Sequence, residues 1–174
     1  MLQGPAERVG MLASSSSWGQ GGVRRWTVSD PYEQSPDGPS GSISAMPEEV
    51  CLTLLGGSVV GRVAFTGELG RQELMPVNYV VIDREIYFRT GRSGPLSILA
   101  AGLDNVAFEV DFVDARSSQG WNVTARGETM RVMQPEVLKA VEAAGLKPPW
   151  AGGGRHIVVK IAIRDIDGRR VSTA

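Results

Sequence analysis

The chain is poor in residues that perform chemistry unaided. Its 174 residues include one cysteine, Cys51, and one histidine, His156. A lone cysteine rules out an intramolecular disulfide. Cys51 lies among Val50, Leu54 and Leu55 and reads as a core thiol rather than a nucleophile. One histidine and one cysteine cannot form a zinc site, which needs three or four such ligands, so no metal is expected. Ser-His-Asp and Cys-His catalysis are excluded unless His156 is the base. No apolar run approaches the ~20 residues of a membrane span. No charged head leads into an apolar stretch of the signal-peptide kind, and a soluble cytoplasmic protein is expected, without membrane partners. A net charge of −1 provides no basic field to draw the chain to nucleic acid.

Residues 1–45 differ in kind from the rest of the chain. Gly, Ser and Pro fill 20 of these 45 positions. Such a segment cannot bury enough apolar surface to offset the ~1–2 kcal/mol per residue cost of ordering a backbone. It reads as a disordered tail, with residues 46–174 as the single domain. Trp18, Arg24, Arg25 and Trp26 either anchor that tail to a partner or stand as isolated residues within it.

From Met46 the signals become regular. Pro47, followed by Glu48 and Glu49, opens a helix that Gly56-Gly57 stops. Val59–Phe65 reads as a strand and Gly67–Gly70 as a hairpin loop. Two further strands, Glu73–Ile82 and Glu85–Thr90, are joined at Asp83-Arg84. Pro95–Ala101 is a short helix ended by Gly102. Asn105–Val113 alternates, with Val106, Phe108, Val110 and Phe112 on one face, as a half-buried antiparallel strand does. Trp121–Met133 is a long strand in which Gly127 marks a bend or bulge. A helix over Pro135–Ala144 precedes a last strand, Ile157–Ile163. Six strands in mostly sequential antiparallel pairs, with short helices inserted, predict a mainly β fold: a small six-stranded antiparallel β-barrel. No βαβ alternation and no GxGxxG motif supports a Rossmann fold.

The segment Met75–Leu96 carries most of the candidate chemistry. Arg89, Thr90, Arg92 and Ser93 gather where a strand runs through a Gly- and Ser-rich loop into a helix, an arrangement that suits a phosphate. Arg89 offers a guanidinium able to grip two phosphate oxygens, and Thr90 and Ser93 offer hydroxyls. The competing reading is a plain strand-to-helix turn with an exposed arginine. Pro76 inside a strand belongs at an edge or bulge, because it donates nothing to a ladder. Asn78 either reads the edge of a heteroaromatic ring or faces solvent. Trp121 and Asn122 open a long strand, where an aromatic covers a planar ligand or packs under a loop. Trp150, in a Pro-rich loop, has the same two readings. Glu109 and Asp111 share a strand face, which reads as solvated rather than as an acid/base pair. His156 reads as a surface residue.

Six segments in order carry a family resemblance: VGRVAF (Val60–Phe65), PVNYVV (Pro76–Val81), IYFRTG (Ile86–Gly91), VAFEVD (Val106–Asp111), GWNVTARG (Gly120–Gly127) and GRRV (Gly168–Val171). From Met46 to Val171 the chain resembles the pyridoxamine 5′-phosphate oxidase-like, FMN-binding split-barrel proteins, in particular their short actinobacterial branch. The resemblance implies a homodimer with flavin at the subunit interface. It places Pro76, Val77 and Asn78 along the isoalloxazine. Phe88, Arg89 and Thr90 then approach the ribityl chain and phosphate, with Arg92 and Ser93 close behind. Trp121 and Asn122 would come from the partner subunit. The chain departs from the family pattern at one place. Where a Ser/Thr-Lys-Leu sequence normally ends the phosphate loop, this chain has Gly94, Pro95 and Leu96.

The resemblance implies an FMN-dependent oxidoreductase in which the cofactor carries the hydride, with a deazaflavin as the alternative cofactor. A non-catalytic flavin- or deazaflavin-binding carrier with a weakened phosphate site is the alternative function. The residues single out no catalytic side chain and no substrate.

Overall fold

The computed structural model describes residues 41–146, 154 and 156–173. The readings made for Trp18, Arg24, Arg25, Trp26 and Trp150 lie outside these residues. Among these residues there are seven strands: β1 (Gly41–Ala45), β2 (Val60–Thr66), β3 (Gln72–Ile82), β4 (Glu85–Thr90), β5 (Val106–Asp114), β6 (Gln119–Arg131) and β7 (Ile157–Thr173). Two α-helices, α1 (Glu48–Gly57) and α2 (Pro135–Ala143), and two 3-10 helices, Glu68–Gly70 and Pro95–Ala101, connect them.

All pairings are antiparallel, in the order β1-β7-β4-β3-β2-β5-β6, and β6 also pairs with β7. That last pairing closes β2 to β7 into a six-stranded barrel, as the alternating patterns predict. The seventh strand is an addition. Gly41–Ala45, assigned by composition to the tail, pairs residue by residue with Arg169–Thr173. All five of its residues are exposed, so no apolar face announced it.

Barrel closure depends on the length of β7, which runs ten residues past the expected end at Ile163. Its first part pairs with β4, from Thr90↔Ile157 to Glu85↔Ala162. Its other edge follows β6 from Arg131↔Val159 to Gly120↔Val171. The second half, Arg164–Thr173, was illegible because Asp and Gly are poor strand formers and its outward residues are mostly charged. The irregularity expected at Gly127 is present: the β6–β7 register shifts between Arg126 and Gly127. A Cβ on Gly127 would run into the Ala162 carbonyl oxygen, so the close approach of the two strands requires glycine.

The barrel interior is filled by the inward alternates of each strand. Val63, Ile86, Phe88, Phe108, Val123, Val159 and Ile161 are all completely buried. Each such side chain contributes roughly 1.5–3 kcal/mol by leaving water. Tyr79 meets Phe108 edge-on, with ring centroids 4.7 Å apart. Helix α1 adds Cys51 and Leu55 to the same core, and the Pro95–Ala101 helix adds Leu99. Outside the barrel, α2 lays Val141 over Tyr87 and Val158, with Val80 and Ile82 beside them.

Candidate functional site

The barrel is incomplete along one seam. The β3–β4 ladder runs from Ile82↔Glu85 only as far as Tyr79↔Phe88. Beyond Phe88, β4 stays with β7, and β3 stays with β2 as far as Gln72↔Thr66. The Tyr79 N–H points to the Val59 carbonyl at 3.4 Å, on the β2 side. Antiparallel strands alternate, so the main chain of Asn78, Pro76 and Leu74 points the other way, into the seam. This accounts for Pro76: its missing N–H falls where the β3–β4 ladder has ended and removes no bond from it.

Two polar side chains meet the outer face of the seam. Asn78 is half-buried, and the β3–β4 register, continued by one residue, sets it opposite Arg89. Arg89 is half-buried, and its Nε is buried without any hydrogen-bond partner. Leaving such a donor unmade costs ~1–3 kcal/mol, a penalty that an acceptor placed against it would relieve. An anion fits that position. Phe88 and Thr90 alternate to the inside. Phe88 is wholly buried in the core, so only its main chain can face a ligand, and Thr90 is 2% exposed. Val77 is likewise an inward core residue, leaving its main chain as the contact.

The phosphate loop differs from expectation in its last part. Arg92, Ser93 and Gly94 are exposed, and Gly94 has φ 96°, a conformation that suits glycine. The helix after it is a seven-residue 3-10 helix. Its Ser97 N–H and Oγ both donate to the Gly94 carbonyl, at 3.0 and 2.7 Å. The first turn therefore closes on its own loop, and such a short 3-10 helix adds little dipole toward an anion. Arg92 and Ser93 follow Arg89 in this loop as exposed residues.

Trp121 and Asn122 lie on another part of the surface. Phe112 stacks on Trp121 at 6.3 Å and 24°. Asn122 sits in register between Asp111 and Arg169. A shallow hollow of 430 Å³ there is lined by Asp111, Val113, Trp121, Asn122, Arg169 and Val171, among others. Asn78 lines a different hollow of 340 Å³, with Gly57, Ser58 and Val59 at the end of α1 and Gly145 beyond α2. Ser93, Gly94 and Pro95 line a third cleft, of 480 Å³, against the β2–β3 loop. Asn78, Ser93 and the Trp121–Asn122 pair thus line three different hollows among the described residues. Residues 56–59 line the hollow at Asn78, and Arg71 and Glu73 the cleft at Ser93, without having been singled out in the sequence, because a helix stop and a hairpin loop carry no signature of a site.

Several other ionisable groups are engaged in structure. Arg62 bridges Glu109 at 3.1 Å and Asp111 at 2.5 Å, so those carboxylates belong to an ion-paired strand face. Arg126 pairs with Asp165 at 2.8 Å and also with Asp167. Under α2, Glu85 accepts from both Lys160 and the Tyr87 hydroxyl. Burial would raise the Glu85 carboxyl, but these partners outweigh it and hold it below the ordinary value. Burial and the Glu85 carboxylate push the Tyr87 hydroxyl up. Burial likewise pushes Tyr79 up to about 12. Cys51 is raised by burial and then by Asp167. Every resolved shift moves its group away from neutrality, so none of them creates an acid or base working near pH 7. Among the described residues, no cluster of three or more His, Cys, Asp or Glu could hold a metal ion. No helix among them is long and apolar enough to cross a membrane.

A closed antiparallel barrel with one split seam defines the class, a flavin-type split barrel. The pyridoxamine 5′-phosphate oxidase family model matches residues 47–170, and the chain belongs to that family. It is 30% identical over 115 residues to the uncharacterized protein Rv0080 of Mycobacterium tuberculosis, covering 64% of this chain and 74% of that protein. Among solved structures it is similar to the FAD binding protein from Mycobacterium smegmatis, with a TM-score of 0.62 and 30% identity over 74% of this chain and 98% of that one. An FAD-binding protein from Mesorhizobium loti shares the fold at TM-score 0.62 and 17% identity, over 76% of this chain and 99% of that one.

Proposed function

We propose that this protein binds a flavin and serves as an oxidoreductase. The observation that carries the proposal is the buried, unpartnered Arg89 Nε at the seam where β3 and β4 part, beside Asn78. A riboflavin 5′-phosphate unit, common to FMN and FAD, matches that pair of features. Its phosphate accepts from Arg89 and the loop at Arg92 and Ser93, and its ring edge meets the side-chain amide of Asn78. The solved relative at 30% identity, the FAD binding protein from Mycobacterium smegmatis, supports a flavin over a deazaflavin.

When bound, the ring supplies hydride and single-electron chemistry that no side chain here offers. The protein's own part is to bind, orient and exclude water. Arg89 anchors the phosphate end, Asn78 and the edge of β3 set the ring, and Pro76 keeps that edge free of strand pairing. Trp121 and Asn122 lie on a separate surface of the same chain, so they reach this ring only from a second copy. A homodimer with flavin at its interface, as the family resemblance implies, would bring them there. The Gly94-Pro95 departure favours a second reading, a flavin-binding carrier without turnover, because a hydroxyl and a cation are missing from the loop.

The absorption spectrum of the purified protein, followed by titration with flavins, tests binding. A flavin band, or saturable binding, is expected. Protein that stays colourless and binds neither FMN, FAD nor a deazaflavin refutes the proposal. Reduction of bound flavin by a nicotinamide donor separates enzyme from carrier. A sedimentation mass of one chain at micromolar concentration in the presence of flavin refutes the dimer.

A further inference from the structure

The C-terminal ends of both α-helices line one hollow. It holds 340 Å³, with Gly56 and Gly57 at the end of α1, Asn78 and Val80 on β3, and Ala144 and Gly145 at the end of α2. We propose that this hollow binds a small organic cation, an ammonium group carried on an apolar body. The proposal does not depend on the flavin reading, although it shares Asn78 with it.

The last carbonyls of a helix have no partner within the helix, and the aligned peptide dipoles make that end partly negative. In α1, Leu54 is closed by the Ser58 hydroxyl at 3.5 Å and Leu55 by the Tyr79 hydroxyl. The Gly56 and Gly57 carbonyls accept from no N–H among the described residues. In α2, the N–H groups of Ala144, Gly145 and Leu146 close the carbonyls of Ala140, Glu142 and Val141. That leaves the Ala144 carbonyl open among the described residues, on a residue that lines the same hollow.

No cation of the chain compensates these ends. Neither helix has a basic residue in its last turn, and no Lys, Arg or His lines the hollow. The half-buried Asn78 side-chain amide bonds to no described residue and adds another oxygen. An ammonium group carries three donors and the charge that these helix ends favour. Val59, 63% exposed, supplies apolar wall for its body together with Val80 and Val81. A Cβ added at Gly56, Gly57 or Gly145 would meet nothing within 4 Å, so space remains in front of each. The volume lies within the ~300–1,000 Å³ range of small-molecule sites.

Benzylammonium and its neutral isostere benzyl alcohol should be titrated into the purified full-length protein without added flavin, by ligand-observed NMR, alongside Gly57→Lys and Gly57→Gln. Gly57 is exposed at the end of α1 with open space around it, so neither replacement touches the core. Benzylammonium is expected to saturate with a Kd below about 10 mM, at least about tenfold tighter than benzyl alcohol. Gly57→Lys, which tethers an ammonium at the same helix end, should weaken benzylammonium by about tenfold or more. Gly57→Gln, of similar length and uncharged, should keep the parent affinity to within about threefold. Equal binding of amine and alcohol, no saturable binding, or the same loss in both variants overturns the cation site. Each of these failures leaves the flavin reading standing, because the titration uses no flavin.

Discussion

Replacing Arg89 by methionine should push stability and binding in opposite directions. The guanidinium Nε is buried without a partner in the ligand-free chain. Such a group costs ~1–3 kcal/mol, and methionine removes it while keeping an unbranched apolar stem over the same neighbours. A gain of about 1 kcal/mol in the ligand-free state is expected, which for a chain of this size raises Tm by about 2–4 °C. Binding should suffer from the same change. Losing a charge-assisted hydrogen bond costs ~1.5–3 kcal/mol, so the affinity for FMN or FAD should fall by roughly 10- to 150-fold. Riboflavin lacks the phosphate and should bind the variant about as it binds the parent. Thermal unfolding without ligand and fluorescence titration with riboflavin and FMN measure both halves. A variant that melts lower than the parent, or loses riboflavin and FMN affinity equally, would show that Arg89 is a structural residue and that the phosphate lies elsewhere.

Three further outcomes are expected. Gly127→Ala should lower stability by ~1–3 kcal/mol in thermal unfolding, because its Cβ meets the Ala162 backbone, whereas Gly56→Ala, with open space around it, should be neutral or slightly stabilising. Glu85→Gln should be less stable than the parent at pH 7, with the two converging in acid. The folded Glu85 carboxyl titrates below its ordinary value of 4.5, so its contribution is present above that pH and lost as pH falls through the folded value. A constant difference between parent and variant from neutral pH down through the carboxylate range would contradict this. Removing residues 1–40 should leave Tm nearly unchanged, while removing residues 1–45 should lower it and promote association, because β1 covers the Arg169–Thr173 edge of β7.

Much of the barrel was legible because its strands obey a two-residue period set by burial. Val106, Phe108 and Val110 are inward and buried as the alternation predicts, and Pro135 and Gly145 bracket α2. Phe112 continues the pattern in the sequence but is 53% exposed. Periodicity gives a residue's face, whereas burial depends on what packs against it. The same limit applies to the candidate site. The types and order of Pro76, Asn78, Arg89 and Trp121 could be read from the chain, because proline's missing donor and a guanidinium's charge are properties of single residues. Only the tertiary structure decided that β4 leaves β3 after Phe88, that Arg89 Nε is buried unpaired, and that Trp121 lies on a different surface from Asn78. Those facts depend on β7 pairing with β1, β4 and β6, contacts between residues far apart in the chain that no local pattern encodes.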